Sequence, residues 1–313
     1  MDKVALIGSG LIGQAWGIVF ARAGRPVALY DPDPAALERA RGGIAGRLED
    51  LVRFGLLDDP APVMARISCL GDLEATLAGA VHVQESAPEK VEVKRELYAE
   101  LDRLAAPEAV LASSTSGIPA SSFTEELAGR ARCLVAHPIN PPYLVPLVEL
   151  CPAPWTDAAV IDRTYELMRS VGQAPIRMRR EVNGFIANRM QAALIGAALR
   201  MVGDGVASAE DVDIAIRDGI GLRWSFIGPF ETIDLNAPGG IADYLRRYGP
   251  LYQTIEGEHG PLEWNADALL EKVEAERRAV LAQEDLPARG GWRDRRLMAL
   301  VAHKRKITEE EGE

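Results

Sequence analysis

The apolar residues near the start of the chain change from a continuous run to a helical spacing. Val4–Ile7 is a short apolar run, as in a strand that is buried on both faces. A glycine-rich turn follows, and apolar residues then recur at helical spacing from Ile12 to Phe20. A second apolar run, "PVALYD", ends at Asp31. The pattern therefore predicts a strand, a tight turn, a helix and a second strand, in that order.

Strand and helix patterns continue to alternate over the first part of the chain. Further strand patterns lie in "ARISCLGDL", "AVHVQESAP", "AVLASSTSG" and "RCLVAHP". Helical patterns lie in "DPAALERARGGIAGRLEDLVRFG" and "KVEVKRELYAELDRLA". Such alternation is typical of a mostly parallel sheet with helices on both faces.

The pattern becomes helical after about residue 180. Long helical stretches are "NGFIANRMQAALIGAALRMVGDG", "DALLEKVEAERRAVLAQ" and "DRRLMALVAHKRKITEEE", and Ser208 is a capping residue for a shorter helix. We predict an α/β fold class, with a Rossmann-like N-terminal domain and a mostly parallel sheet over residues 1–181. An all-helical C-terminal domain is predicted over residues 182–313.

Composition and charge narrow the class of partner. The 313 residues carry a net charge of −11, which disfavours non-specific binding to nucleic acid because such binding needs a basic face. No run approaches the roughly 18 apolar residues of a membrane span, and the strand pattern that begins by Val4 leaves no room for a signal peptide. The three cysteines fit neither a metal spacing nor a disulfide framework. We expect a cytoplasmic protein that binds neither nucleic acid, membranes nor a metal.

The first turn has the spacing of a dinucleotide fingerprint, Gly8-Ser9-Gly10-Leu11-Ile12-Gly13. In that fingerprint the first glycine permits the turn, the second lets the backbone approach a pyrophosphate, and the third lets helix and strand pack closely. The helix N-terminus adds free N–H groups and the positive end of its dipole. A glycine-rich match alone is also consistent with an ordinary turn, but here it follows a strand and opens a helix. The expected cofactor contacts in this stretch are Gly8, Gly10, Leu11, Ile12 and Gly13.

Asp31 indicates which dinucleotide binds. It ends the second predicted strand, 18 residues beyond Gly13. A carboxylate at this place accepts hydrogen bonds from the ribose hydroxyls and repels a 2′-phosphate. Arg22 and Arg25 do not follow the second strand, where an arginine for that phosphate is expected. We therefore predict NAD rather than NADP as the cofactor.

His137 and Glu149 are polar residues in an otherwise apolar stretch. His137 lies at the C-terminal end of a predicted strand, where open α/β sheets place their sites. A buried carboxylate is costly unless it is paired, and Glu149 would fix the imidazole tautomer and stabilise the imidazolium. Hydride removal from a secondary alcohol needs such a base on the hydroxyl. The alternative is a core histidine bonded to a backbone carbonyl and a glutamate facing solvent, and the upstream fingerprint favours the catalytic pair.

Five motifs together resemble the 3-hydroxyacyl-CoA dehydrogenase superfamily. They are "GSGLIG" with the following Asp31, "ESAPEKVEVK", "SSTSGIP", "HPINPPYLVPLVEL" and "EVNGFIANRMQAAL". Within the superfamily, "HPINPPYLVPLVEL", "GIGLRWSFIGPFETIDLNAPGG" and "GWRDRRLMAL" most resemble the branch that contains lambda-crystallin and L-gulonate 3-dehydrogenase. The resemblance covers nearly the whole chain, with the motifs in the same order.

The resemblance implies catalytic roles for four residues. His137 is the base or acid, and Glu149 is its partner. Ser116 holds the substrate oxygen near the nicotinamide, and Asn188 lies in the substrate pocket. Each of the last two has a structural alternative: Ser116 as a residue that caps a turn, and Asn188 as a buried helix residue bonded to the backbone.

The resemblance also implies cofactor contacts and an assembly. Glu89 and Lys94 match the cofactor contacts of the family, and Asn140 is expected to face the cofactor as well. The structural alternative for Lys94 is a solvated lysine on an amphipathic helix, the commonest position of a helical lysine. The helical domain of the family forms a homodimer, and we expect one here.

The expected substrate follows from the resemblance to the branch that contains L-gulonate 3-dehydrogenase and from two local features of the sequence. The segment "RFGLLDDPAPVMARIS" is short and has few lysines, whereas the acyl-CoA branch carries a longer, lysine-bearing segment at this place. A small sugar acid needs one cation for its carboxylate, and Arg223 is the candidate because a guanidinium binds a carboxylate through two parallel hydrogen bonds. An interface or surface role for Arg223 is equally consistent. The expected reaction is oxidation of the 3-hydroxyl of a small hydroxy acid, L-gulonate, to 3-dehydro-L-gulonate.

Two kinds of alternative function stay open. One is another reaction of the superfamily: dehydrogenation of 3-hydroxyacyl-CoA such as 3-hydroxybutyryl-CoA, dehydrogenation of L-carnitine, or reduction of a diketo ester. The other is a non-catalytic, crystallin-like protein that binds NADH. The presence of His137, Glu149, Ser116 and Asn188 argues against the second, because a structural role would not require all four.

Overall fold

Eight strands form one sheet in the residues that the computed structural model describes, which are 2–258 and 260–311. The strands are β1 (Lys3–Ile7), β2 (Val27–Tyr30), β3 (Ile67–Leu70), β4 (Ala80–Glu85), β5 (Val110–Ser113), β6 (Cys133–Pro138), β7 (Leu147–Pro152) and β8 (Ala174–Arg177). Their order across the sheet is β3-β2-β1-β4-β5-β6-β7-β8. β1 to β6 are parallel, whereas β7 pairs antiparallel with β6 and parallel with β8. The predicted mostly parallel sheet is confirmed.

The central strands are apolar on both faces because helices cover both faces of the sheet. Val4 and Leu6 belong to one buried cluster, and Ala5 and Ile7 belong to the other. Trp16 is fully buried in the first cluster. This double burial explains why these strands read as continuous apolar runs in the sequence rather than as alternating ones.

Short and long helices connect the strands. They are α1 (Leu11–Arg22), α2 (Pro34–Arg53), α3 (Ala61–Ala65), α4 (Leu73–Leu77), α5 (Val91–Leu104), α6 (Ser121–Thr124) and α7 (Ala158–Ser170), with a 3₁₀ turn at Arg130–Arg132. The chain moves outward from β1 to β3 and then returns to place β4 on the other side of β1. In open α/β sheets ligands bind at the carboxyl ends of the strands beside such a reversal.

The rest of the described chain is helical, as predicted. Its helices are α8 (Ala187–Gly203), α9 (Ala209–Ile214), α10 (Gly221–Trp224), α11 (Pro229–Leu235), α12 (Gly240–Gly257), α13 (Asp267–Val280) and α14 (Leu286–Glu311), with a π-helical segment at Ala215–Ile220 and a 3₁₀ turn at Gln283–Asp285. Ser208 caps α9, because its hydroxyl accepts a hydrogen bond from the Asp211 N–H at 3.1 Å. None of the helices described is long and apolar enough to cross a membrane.

The described chain divides into two compact units. The first comprises residues 2–189 and 289–311, and the second comprises residues 190–258 and 260–288. The first unit thus includes most of α14, which the sequence-based division at residues 181–182 assigns to the helical domain. Met298 of α14 is only 1% exposed and belongs to the same apolar cluster as Trp16, and Val301 packs against that cluster. Burial of these side chains explains why the last helix groups with the sheet.

Candidate active site

The carboxyl ends of four parallel strands bring the predicted site segments to one edge of the sheet. Gly8 follows β1, Ser86 follows β4 and Ser114 follows β5, while His137 lies near the end of β6. Because these strands are adjacent and parallel, the segments that follow them are neighbours in space. Residues that are far apart in the sequence therefore share one crevice.

Two glycines of the first turn are required by close backbone contacts. Gly8 has a φ of +97°, and a Cβ on it would lie 2.7 Å from the carbonyl oxygen of Ser86. A Cβ on Gly13 would lie 1.9 Å from the carbonyl oxygen of Gly8. Neither position can hold a larger residue without moving the backbone, so the turn is held tightly between β1, α1 and the end of β4.

The start of α1 is suited to an anionic ligand. Gly10 has open space where a Cβ would stand, and Leu11 is 63% exposed, while Ile12 is partly buried against the core. No side chain caps this helix and no acid lies in its first turn. Its first N–H groups therefore have neither an intrahelical nor a side-chain acceptor, which is the arrangement that binds a pyrophosphate.

Asp31 follows β2, beside the same turn. Its carboxylate accepts hydrogen bonds from the N–H and the hydroxyl of Ser9, at 3.0 and 2.8 Å, and from the N–H of Asp33 at 3.1 Å. Partial burial raises the pKa of Asp31, but these hydrogen bonds outweigh it and hold the pKa below its usual range. The group is thus an ionised acceptor, as a ribose diol requires, and the residues of this turn fit NAD.

His137 and Glu149 are directly opposite each other in the antiparallel pair of β6 and β7. The Nδ1 atom of His137 lies 2.8 Å from Oε2 of Glu149. Glu149 is fully buried, and His137 is 4% exposed. Because a carboxylate only accepts, Nδ1 carries the hydrogen and Nε2 is left as the atom that can take a proton. In the described part of the chain, no group lies within hydrogen-bond distance of Nε2.

The second carboxylate oxygen of Glu149 binds the start of α8. Oε1 accepts hydrogen bonds from the N–H groups of Ile186 and Ala187 at 2.8 and 2.9 Å. Burial raises the pKa of Glu149, but the hydrogen bond with His137 and these two N–H groups outweigh it and lower the pKa below its usual range. A lowered pKa means that ionised Glu149 stabilises the fold above its unfolded-state pKa, and that this stability is lost as the pH falls through the folded-state pKa.

Ser116 and Asn188 are in contact in the first unit. The side-chain amide of Asn188 donates a hydrogen bond to the carbonyl oxygen of Ser116 at 2.6 Å. The Ser116 side chain is exposed. Asn188 lies in the first turn of α8, directly after the N–H groups that Glu149 binds. The pair of His137 and Glu149 and the Ser116 turn are thus both anchored to the start of α8.

Glu89 holds the turn that contains Ser116. Its Oε1 accepts hydrogen bonds from the Thr115 hydroxyl at 2.5 Å, the Ser116 N–H at 2.9 Å and the Gly117 N–H at 3.1 Å. The Glu89 side chain remains 46% exposed. The structure therefore assigns Glu89 a positioning contact with the Ser116 turn, in addition to the cofactor contact that the sequence predicts.

Lys94 is not a solvated lysine, so that alternative is wrong. It is 1% exposed, and its Nζ lies 2.8 and 3.0 Å from the two carboxylate oxygens of Glu85. The Ser113 hydroxyl donates to Glu85 at 2.5 Å, and Lys94 Nζ is 3.7 Å from Glu89. Glu85 and Ser113 are not predicted from the sequence, although the acid at the end of the apolar run "AVHVQE" is a usable signal.

The two remaining predicted residues lie apart from these contacts. Asn140 is exposed in the segment after β6 and precedes a cis peptide bond to Pro141. Arg223 belongs to the second unit, in α10, and is exposed. No carboxylate of the described residues lies within 4 Å of its guanidinium.

A cavity of about 950 Å³ lies away from this crevice. It is lined by Ala80 and Val110, which begin β4 and β5, and by His82 and Arg25. It therefore belongs to the amino-terminal edge of the sheet, and none of the predicted site residues lines it. Over residues 2–258 and 260–311, no cluster of three or more His, Cys, Asp or Glu side chains could hold a metal ion.

Two family models match the chain. Residues 3–182 match the NAD binding domain of 3-hydroxyacyl-CoA dehydrogenase. Residues 184–274 match the C-terminal domain of 3-hydroxyacyl-CoA dehydrogenase. The two models together span most of the sequence.

Two named proteins and one solved structure are similar to this chain over at least 79% of its length. A lambda-crystallin homolog of Bos taurus is 43% identical over 310 residues, covering 97% of this chain and 96% of that protein. An L-carnitine dehydrogenase of Streptomyces griseus is 42% identical over 249 residues, covering 79% of this chain and 74% of that protein. A solved structure of 5-formyl-3-hydroxy-2-methylpyridine 4-carboxylic acid 5-dehydrogenase, an NAD⁺-dependent dismutase, has a TM-score of 0.84 and 29% identity, and covers 99% of both chains.

The buried ion pair of Lys94 and Glu85 gives a test of stability. Lys94→Met leaves a buried carboxylate unpaired, so we expect the free energy of unfolding to fall by about 3–5 kcal/mol. Lys94→Met combined with Glu85→Leu removes both charges and should recover part of that loss. Lys90→Met, at an exposed lysine before the same helix, serves as the control. Denaturant unfolding measures all four proteins, and equal stability of the wild type and Lys94→Met would refute the pairing.

Proposed function

The chain belongs to the 3-hydroxyacyl-CoA dehydrogenase family, and we propose that it oxidises the 3-hydroxyl of a small hydroxy acid, L-gulonate, to 3-dehydro-L-gulonate. It is an NAD-dependent oxidoreductase, as its first turn and its motifs predict. The identity of the substrate and the roles of individual residues are the proposed part.

One observation carries the proposed mechanism: the 2.8 Å contact between His137 Nδ1 and Glu149. It leaves Nε2 as the free acceptor for the hydrogen of the substrate 3-hydroxyl. As the C3–H bond breaks, His137 takes the hydroxyl proton on Nε2 and becomes an imidazolium. Ionised Glu149 stabilises that cation and keeps the ring oriented. NAD, when bound, supplies the acceptor of the hydride.

The Ser116 turn is proposed to orient the reacting hydroxyl. Ser116 has an exposed side chain, and its backbone is fixed by Glu89 from one side and Asn188 from the other. A hydroxyl on such a fixed turn can donate or accept a hydrogen bond at a defined place. One of the two amide N–H groups of Asn188 binds Ser116, and we assign the side-chain oxygen of Asn188 to the substrate.

The cofactor contacts are proposed from the geometry of the first turn. Gly8, Gly10 and Gly13 would line the pyrophosphate with the free N–H groups of Leu11 and Ile12, and Asp31 would accept the ribose hydroxyls. Glu89, Lys94 and Asn140 stay proposed cofactor contacts. For Lys94 the contact would be indirect, because its Nζ is buried against Glu85.

The choice of a small acid rests on the resemblance of the motifs to the branch that contains L-gulonate 3-dehydrogenase and on the composition of one segment. Residues 53–68, which connect α2 to β3, contain no lysine. The cations that CoA phosphates need are therefore scarce there. Arg223 remains the candidate for the substrate carboxylate, since it is exposed and has no ion-pair partner in the described chain.

L-Carnitine is the second candidate substrate. A relative named L-carnitine dehydrogenase is 42% identical over 249 residues. L-Carnitine also carries a carboxylate and a 3-hydroxyl, so the catalytic pair and Arg223 would serve it equally. Its quaternary ammonium would need aromatic faces, and Trp224, beside Arg223, is 41% exposed.

We also propose a cytoplasmic homodimer. The second unit exposes large apolar side chains, including Leu222, Phe226, Phe230, Leu235 and Leu251, with exposures of 63%, 62%, 74%, 69% and 54%. So many exposed large apolar side chains are unusual on a surface that faces water, and a second copy of the chain would cover them. The three cysteines are free, which supports a reducing compartment.

His137→Gln tests the base. We expect kcat to fall by about a hundred- to ten-thousand-fold, because glutamine cannot take the proton. Binding of NADH, measured by fluorescence titration, should be unchanged. His303→Gln, at an exposed histidine of α14, should keep full activity. Full turnover by His137→Gln would reject the assignment.

A substrate panel tests the reaction. With NADH formation as the assay, we expect kcat/KM for L-gulonate to exceed the values for L-carnitine, 3-hydroxybutyrate and 3-hydroxybutyryl-CoA.

Arg223→Ala should raise KM for L-gulonate by about 10- to 100-fold with little change in kcat, because it removes a charged hydrogen bond made before the chemical step. Arg246→Ala, an exposed arginine of the same unit, should have no effect. A higher kcat/KM for the CoA thioester would contradict L-gulonate as the substrate. An unchanged KM in Arg223→Ala would contradict the role of Arg223.

A further inference from the structure

A second cavity of the first unit lies at the C-terminal end of α1. Its volume is about 410 Å³, and its lining includes Arg22, Leu56, Asp58, Val301 and Arg305. Arg22 is in the last turn of α1, Leu56 and Asp58 follow α2, and Val301 and Arg305 belong to α14. None of the residues assigned to the cofactor or to the reaction lines it.

The Arg22 guanidinium in this cavity has no partner. In the described part of the chain, no carboxylate lies within 4 Å of it and no acceptor within hydrogen-bond distance. Two nearby arginines differ: Arg25 contacts Asp2 and the Ser170 hydroxyl, and Arg66 donates to backbone carbonyls. The Arg22 side chain is only partly buried, so its five N–H donors, which no group of the described chain uses, still face solvent and can take an acceptor from it.

The other charged groups of the cavity do not supply an acceptor for Arg22. Arg305 adds a second positive charge, and its own ion pair is with Glu309 on the same helix, at 3.0 Å. Asp58 is the one acid among the lining residues, and it is exposed and forms no ion pair with Arg22. Burial, and secondly the charge of Arg305, lower the pKa of Arg22. The lining of the cavity thus carries two guanidinium groups, and its one carboxylate does not pair with Arg22.

We propose that Arg22 and Arg305 bind a phosphate group in this cavity, at a site separate from the cofactor crevice. Two guanidinium groups match a dianion with several acceptor oxygens, because each presents its N–H donors in a planar fork. The volume exceeds that of a single phosphate ion, so the group can be inorganic phosphate or the phosphate of a small ester. This site does not depend on the identity of the oxidised substrate.

The test is the effect of phosphate on Tm with NADH present at saturation, so that the phosphate-binding turn of the cofactor site is occupied. Inorganic phosphate and glycerol 3-phosphate are compared with sodium chloride at equal ionic strength. We expect both phosphates to raise Tm in the wild type and in Arg169→Met, an exposed arginine in the last turn of α7. A rise with only one of them would identify the free ion or the ester as the ligand. Calorimetric titration should show that Arg22→Met and Arg305→Met bind phosphate at least about tenfold more weakly than the wild type does.

A second readout separates binding from folding. Without phosphate, Arg22→Met should melt at the same temperature as the wild type or higher, because Arg22 has no partner in the described chain to lose and its repulsion with Arg305 is removed. Two results would overturn the proposal. One is a Tm rise of equal size in the wild type and both arginine variants, or no rise in the wild type, because neither would show phosphate bound by Arg22 and Arg305. The other is a lower Tm of Arg22→Met without phosphate, which would mean that Arg22 already has a structural partner.

Discussion

The antiparallel pairing of β6 and β7 is the constraint on which the candidate site depends. It places Glu149 directly opposite His137 and buries both. A buried carboxylate needs partners for both oxygens, and Glu149 has them in His137 and in the N–H groups that open α8. One side chain thereby fixes the imidazole and the start of the helix that carries Asn188. The orientation of the proposed base and the placement of α8 have the same physical cause.

The Ser116 turn depends on a second buried charge. Lys94 neutralises Glu85 inside the first unit and lies beside Glu89, whose carboxylate binds the backbone N–H groups of Ser116 and Gly117. Hydrogen bonds to a charged acceptor are stronger than neutral ones, so the turn is held more firmly than an ordinary serine-rich loop. Both sides of the crevice thus rest on carboxylates that are satisfied within the protein, which is the preorganisation that a hydride transfer needs.

Much of this architecture could be predicted from the sequence. The strand, glycine turn and helix around Gly8 and Gly13 are local, and their spacing follows from steric limits that the structure reproduces. Long-range pairings could not be derived in this way. The local pattern does not predict that residues 147–152 pair antiparallel with β6 or that Glu85 forms an ion pair with Lys94. It also does not predict that most of α14 belongs to the first unit. Lys94 illustrates the limit, because its helical spacing is that of a surface residue and tertiary contacts bury it.

The tautomer of His137 tests the central claim most directly. Its imidazole ¹⁵N shifts can be recorded on the resting protein above the pH at which histidines titrate, and assigned with His137→Gln. The account predicts the neutral Nδ1–H tautomer, with Nε2 unprotonated, and a loss of that preference in Glu149→Leu. An Nε2–H tautomer in the wild type would contradict it, because the atom assigned to accept the substrate proton would already carry one.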